Sequence, residues 1–151
     1  MAAPELRVET VIDAPPDRVW AVLADFAHWD EWNPTLLHPN GPPVPGTEVR
    51  MKLQLGPVKV PMRQQIREVA PPSRLVWRSR QALPQALDVE RHFEVEPVDD
   101  GQRCRLVQSE TTTGWLARLE VALLGRMIKQ GYENMARALA ERVEKTAPEG
   151  G

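Results

Sequence analysis

The sequence predicts an α+β fold, a curved antiparallel sheet wrapped around one long C-terminal helix. Three observations lead there. Residues 6–12 and most of 47–112 alternate between apolar and polar side chains, the period of strands with one covered face. Residues 19–32 and 115–144 instead repeat apolar side chains at three- and four-residue spacing, the period of helices. The prolines, fifteen in all, gather at Pro15-Pro16, between Pro39 and Pro45, at Pro57 and Pro61, and at Pro71-Pro72. Proline resists helix interiors and cannot donate to a ladder, so these clusters cut the chain into elements.

The first strand is read from Leu6, Val8, Thr10 and Ile12 on one face. Pro15-Pro16-Asp17 then starts a helix, with proline in its first turn and an acid beside its positive end. Val19, Val22, Leu23 and Phe26 form its apolar stripe. A second helical turn covers about Ala27 to Trp32 and stops at Asn33-Pro34, because a residue before proline avoids the helical region. His38 to Gly46 is a loop. Val49, Met51, Leu53 and Leu55 share the inner face of the next strand; Val58, Val60, Met62, Gln64 and Ile66 share that of the strand after the Gly56-Pro57 turn. Leu75, Trp77 and Ser79 follow, then, past a break near Pro84, Leu87, Val89, Arg91, Phe93 and Val95. Asp99-Asp100-Gly101 signals a hairpin, and Cys104, Leu106, Gln108, Glu110 and Thr112 face inward on the last strand.

Each strand has one apolar and one charged face, so the sheet needs a cover on one side. Only the helix from about Trp115 to Glu144 is long enough. Its second half carries Ile128, Tyr132, Met135, Leu139 and Val143 in a stripe; its first half is apolar almost all round, the pattern of a buried helix. Gly125 and Gly131 lie mid-helix, where they allow close packing or a bend. A sheet curved around a helix encloses a pocket, so binding of a small apolar molecule is the first function expected.

The bulk composition bounds the alternatives. A length of 151 residues suits one domain, expected over residues 1–145 with a flexible tail at 146–151. A net charge of −2 makes no electrostatic case for nucleic acid. The single cysteine, Cys104, cannot form an intrachain bridge and is expected to be buried. No secretory signal is recognisable, and the run Val121 to Leu124 is far short of the about 20 apolar residues that span a bilayer. A cytoplasmic location is expected. His28, His38 and His92 lack metal-ligand spacing, and no phosphate loop is present, so neither metal nor cofactor is expected.

The segments VWAVLADFAHWDEWNP, RLVWRS, RHFEVEPVDDGQRCRL and GYENMARALAERVE together resemble the SRPBCC or START-related family, which includes polyketide cyclase/dehydrase-like proteins. The resemblance runs from about Leu6 to Glu144. It implies a helix-grip fold, with about seven antiparallel strands gripping the C-terminal helix around an internal cavity. It also implies hydrophobic ligands such as lipids, polyketides or other aromatic metabolites, with some members acting as cyclases or aromatases. Where members of this kind often carry a histidine two residues before the phenylalanine of the fifth strand, this chain has Arg91.

Arg91 interrupts an apolar face. Centring the hairpin on Asp99-Asp100 places it opposite Gln108, with Glu110 one diagonal away and Gln64 on the same concave face. A buried arginine needs a partner. Arg91, Gln108 and Glu110 are therefore the polar end of an apolar pocket, with Arg91 and Glu110 the candidate catalytic pair, or else Arg91 and Glu110 form a structural pair at the cavity rim, or Arg91 snorkels to solvent. The candidate lining comprises Met51, Leu53, Met62 and Gln64, then Trp77, Arg91, Phe93, Gln108 and Glu110, and finally Trp115, Leu119 and Ile128. Trp20 and Trp32 read as core. Three functions stay open: a binder of a hydrophobic metabolite, a cyclase- or dehydratase-type enzyme, and an accessory protein docking on a membrane or partner through residues 115–128.

Overall fold

The computed structural model describes residues 5–81 and 85–145; the expected tail and the break near Pro84 lie outside them. Seven strands are formed: β1 (Glu5–Ile12), β2 (Leu36–Leu37), β3 (Glu48–Leu55), β4 (Val58–Ala70), β5 (Arg74–Gln81), β6 (Leu87–Val98) and β7 (Arg103–Thr113). They make one antiparallel sheet in the order β1-β7-β6-β5-β4-β3-β2. Helix α1 (Pro16–Leu23) and a 3-10 turn (Phe26–Glu31) follow β1, and helix α2 (Ala117–Lys145) closes the chain. Strand β2 is too short to show a period, so the residue pattern alone does not reveal it; it adds an edge to β3 through Leu36↔Leu53.

Alternation along the strands sets which side chains are inside. On β7, Cys104, Leu106, Gln108, Glu110 and Thr112 are all buried, as are Met62, Gln64 and Ile66 on β4. The ladder β4–β5 takes a bulge between Ile66 and Glu68, which increases local twist and curves the sheet around the helix. Helix α1 buries Val19, Trp20 and Leu23 and has Asp17 in its first turn. Phe26 and Trp29 pack with ring centres 4.1 Å apart and planes tilted by 45°, both reach Trp77, and Trp77 meets Phe93 edge-on at 5.0 Å. Trp29 is fully buried and donates from Nε1 to the Leu23 carbonyl at 3.0 Å, so the indole leaves no unmet polar group. Trp20 is core as expected, while Trp32 is half-buried.

The connection into β2 is tied to α2. The Asn33 side-chain oxygen accepts from the backbone N–H of Thr35 and Leu36 at 2.9 and 3.0 Å, the local bonding that makes asparagine a turn residue. Thr35 then donates from Oγ1 to the Gly131 carbonyl at 2.5 Å. A Cβ on Gly131 would stand 3.2 Å from the Thr35 methyl, so the mid-helix glycine serves close packing here.

Two expectations need correction. Helix α2 starts at Ala117, after a turn at Gly114 whose φ is +110°. The backbone N–H groups of Trp115 and Leu116 are held by the carbonyls of Gln85 and Ala86. Its buried face runs through Ala117, Gly125, Ile128 and Tyr132. Leu119 lies nine residues from Ile128, two and a half turns, and so on the opposite side. Trp115, Leu119, Leu123 and Met127 are exposed, not buried as the all-round apolar pattern suggested. The second correction is register. Val98 pairs with Arg103, so the β6–β7 loop holds four residues, Asp99 to Gln102, where the hairpin signal suggested two. Arg91 therefore faces Glu110 directly and Phe93 faces Gln108. A shift of two keeps every side chain on its expected face.

Candidate functional site

Between the concave face of the sheet and the first half of α2 lies a pocket of about 170 Å³. Its apolar wall comes from Leu53, Leu55, Val60, Met62, Trp77, Leu87, Val89, Leu124 and Ile128. Its polar wall comes from Gln64, Ser79, Arg91, Glu110, Glu120 and Tyr132. Alternation delivers Arg91 here: it is inward on β6, between Val89 and Phe93, and only 1% exposed.

A charge that deep is costly unless held on several sides. Arg91 donates from Nη2 to the Gln108 side-chain oxygen, and its Nη1 stands 3.5 Å from Oε2 of Glu110. That second distance makes an ion pair without hydrogen-bond geometry. The guanidinium carbon lies 3.1 Å from the centre of the Tyr132 ring and 4.5 Å from that of Phe93, so the cation is sandwiched between aromatic faces. Gln108 also donates from Nε2 to the Tyr132 carbonyl at 3.0 Å, and Tyr132 donates its hydroxyl to Oε2 of Glu110 at 2.7 Å. One carboxylate oxygen thus receives both the phenol and the cation.

The electrostatics follow from this burial. Loss of solvent pulls Arg91 down from its ordinary value, and the neighbouring Tyr132 and Glu110 oppose that pull. Burial holds the Tyr132 phenol well above its ordinary value, so it stays a hydrogen-bond donor. Burial, with the charge of Glu110 adding to it, pushes the Glu120 carboxyl up to about 7. Three side chains in this wall keep polar atoms with no hydrogen-bond partner in the protein: Nε and Nη1 of Arg91, Oε1 of Gln64 and Oε2 of Glu120. Two donors of one cation and two separate acceptors are left beside a largely apolar space.

Of the residues expected to line a pocket, the structure places Leu53, Met62, Gln64, Trp77, Arg91, Glu110 and Ile128 on its wall. Met51 and Phe93 lie in the core behind it, and Gln108 stands behind Arg91 as a support. Trp115 and Leu119 are not at the pocket; they are 64% and 55% exposed on the outer side of α2. Glu120 and Tyr132 join the site without having been among the expected residues. The signal for Tyr132 is its place four residues past Ile128 on the same helical stripe. Glu120 is the only acid in an otherwise apolar and basic stretch from 115 to 130.

Outside the pocket, the other candidates have ordinary roles. His28 and His38 are exposed and meet Asp25 and Asp30 at 2.7 and 2.9 Å, while His92 lies between Arg74 and Glu90. Among the described residues, no three His, Cys, Asp or Glu side chains come together as metal ligands. Cys104 is fully buried, and burial pushes its thiol up to about 11. Among the described residues, no helix is long and apolar enough to cross a membrane.

The family model described as polyketide cyclase/dehydrase and lipid transport matches residues 3–144. The chain belongs to that family. Solved structures of the same helix-grip fold extend the comparison. TTHA0849 from Thermus thermophilus superposes with a TM-score of 0.76 at 20% identity, over 96% of this chain and all of that one. The ZhuI aromatase/cyclase from a Streptomyces species gives 0.75 at 16% identity, over 98% of each chain. Norcoclaurine synthase from Thalictrum flavum, solved with dopamine and hydroxybenzaldehyde, gives 0.74 at 16% identity, over 97% of this chain and 89% of that one. No curated protein matches the sequence. At these identities the neighbours establish the fold, a seven-stranded antiparallel sheet gripping a long C-terminal helix.

Proposed function

We propose that this protein binds a small, mostly apolar ligand about the size of one ring, oriented by an oxygen that it presents to Arg91. The observation that carries this is Arg91 itself, almost wholly buried yet with Nε and Nη1 hydrogen-bonded to no protein acceptor. Buried polar groups are nearly always satisfied, so a ligand carbonyl, phenolate or carboxylate is the natural complement. Gln64 offers an acceptor for a hydroxyl on the same ligand. Size narrows the class further. An apolar cavity of roughly 150 Å³ accommodates benzene, and this pocket is about 170 Å³. That volume favours a single ring over a diacyl lipid or a fused polycyclic chain. The norcoclaurine synthase neighbour holds one-ring molecules in the same fold, which supports the size argument.

The test is native mass spectrometry of the purified protein, followed by titration with one-ring phenolic aldehydes and with two- and three-ring analogues. One-ring compounds are expected to bind and to quench Trp77. Copurification of a long-chain lipid, or equal binding of the three-ring series, would sink this reading.

A second reading, an enzyme of the cyclase or dehydratase kind, is favoured by Glu120. A carboxyl that titrates near 7 in a pocket containing an oriented cation can both give and take a proton at neutral pH. Turnover of a β-hydroxy carbonyl probe, lost in Glu120→Gln while the probe still binds, would select this reading over simple binding.

A further inference from the structure

The outer side of α2 carries an apolar row that the described residues leave uncovered. Leu119, Leu123 and Met127 are 55%, 71% and 44% exposed, and Trp115 just before the helix is 64% exposed. A four-residue step advances about 40° around a helix, so the row drifts across the surface as it climbs. It drifts towards the turn between β3 and β4, where a Cβ on Gly56 would meet the Met127 sulfur at 3.2 Å. Val58, just past that turn, is 56% exposed and Lys59 beside it is exposed. Helix and turn thus form one continuous surface. Contiguous exposed apolar surface of this kind marks an interaction site.

Charge identifies the occupant. Between residues 115 and 130 the cations are Arg118, Arg126 and Lys129, and the only acid is Glu120, which turns inward to the pocket. Arg126 and Lys129 are exposed on the flank of the row away from the turn. The segment is positive in a chain whose net charge is −2. Lys129 shares a groove with Arg7, Arg137, Glu9 and Glu133, three cations to two acids, and with exposed Arg126 and Lys59 the surround of the apolar row is net positive, the chemistry of an anionic bilayer surface. Each cation near such a surface contributes to binding, and salt screens that contribution. Position adds a third argument. Leu124 of this half-helix and Leu55 at the β3–β4 turn both line the pocket, so the row borders its mouth.

We infer that the first half of α2 and the β3–β4 turn dock on anionic lipid bilayers, with Leu119, Leu123 and Met127 in the interface and Arg126 and Lys129 on lipid phosphates. Docking needs no ligand in the pocket and stands apart from its chemistry.

The experiment is flotation of the full chain with vesicles of phosphatidylcholine alone and of phosphatidylcholine with phosphatidylglycerol. Binding to the mixed vesicles is expected, weakened by salt. Leu123→Asp and Met127→Asp each weaken it about ten-fold or more, because they place a charge where apolar surface would enter the interface. Arg126→Gln with Lys129→Gln removes the preference for the anionic lipid. These side chains are exposed, so circular dichroism and melting temperature should match the parent. Failure of the parent chain to float with mixed vesicles would overturn the inference. So would unchanged binding by Leu123→Asp, or a Leu123-dependent dimer in solution without vesicle binding, which would make the row a contact between copies of this chain.

Discussion

Arg91 and Glu110 face each other across the β6–β7 ladder, with their charged ends 3.5 Å apart inside the protein. Neither is close to solvent, and the space around them is shared by Tyr132, Gln108 and the pocket. A buried pair of this kind contributes little to stability, because desolvation offsets most of the attraction. In the proposed function, the pair holds a fixed charge at the end of an apolar space.

Removing one member should therefore hurt more than removing both. Arg91→Ala is expected to cost about 3–5 kcal/mol, because it strands Glu110 as an unpaired charge. Arg91→Met combined with Glu110→Gln should recover at least half of that loss. Urea unfolding of the three proteins checks this, and both variants should lose ligands that present an oxygen to Arg91. A double variant as unstable as the single one would mean that packing, not charge, sets the cost.

Tyr132→Phe isolates the phenol. The ring keeps its place over the Arg91 guanidinium, and only the 2.7 Å bond to Glu110 is lost. The expected cost is about 1.5–3 kcal/mol, typical of a hydrogen bond to a charged acceptor. Thermal melts at neutral pH measure it.

Glu120 sets a pH dependence of known sign. Its carboxyl lies near 4.5 when solvated and is pushed to about 7 in the folded chain. Between those values the folded state binds more protons than the unfolded one, so stability falls as pH rises from about 4.5 through 7 and levels off above. Glu120→Gln should flatten this window and leave the variant more stable than the parent at pH 8. The gain should be on the order of 1 kcal/mol, less than the full shift because the group is half-solvated. A parent chain whose stability rises across that window would contradict the burial of Glu120.

Two glycines should respond in opposite directions to alanine. At Gly125 a Cβ would meet Val121 at 3.4 Å and Leu6 at 4.0 Å, ordinary contact in a helix interior. Gly125→Ala is expected to stabilise by about 0.5–1 kcal/mol through helix propensity. At Gly114 a Cβ would stand 2.3 Å from the Ala86 carbonyl oxygen, and φ is +110°. Gly114→Ala should cost about 2 kcal/mol or more, since both the turn and its bonds to Gln85 and Ala86 must shift. Denaturant midpoints of the two variants test the pair.

Much of the fold was legible because period two is a local signal. The inward faces of β4, β5, β6 and β7 could be read residue by residue, and with them the burial of Arg91, Gln108 and Glu110. Register was less legible. It depends on loop length, and Asp99-Asp100-Gly101 suits both a two-residue turn and the four-residue loop that forms. Helix α2 departs from its pattern for a different reason. An all-round apolar segment is normally buried, but a single sheet face can cover only one side of a helix, and nothing else among the described residues covers Leu119 or Leu123. Glu120 stands out locally only as the lone acid from 115 to 130; its raised carboxyl needs burial at the pocket and Glu110 nearby, and both are made by the tertiary fold.

The loop from Asp99 to Gln102 begins just past Val98, which lies seven residues along β6 from Arg91, roughly 23 Å at strand rise. It nevertheless decides which side chain Arg91 meets. Closed instead as a two-residue turn at Asp99-Asp100, with Gly101 paired to Val98, the same chain would set Arg91 opposite Gln108 and Phe93 opposite Leu106, with every face preserved. The turn is thus a remote dial on the pocket: which residues it takes out of the two strands fixes the partner of Arg91, with no substitution inside.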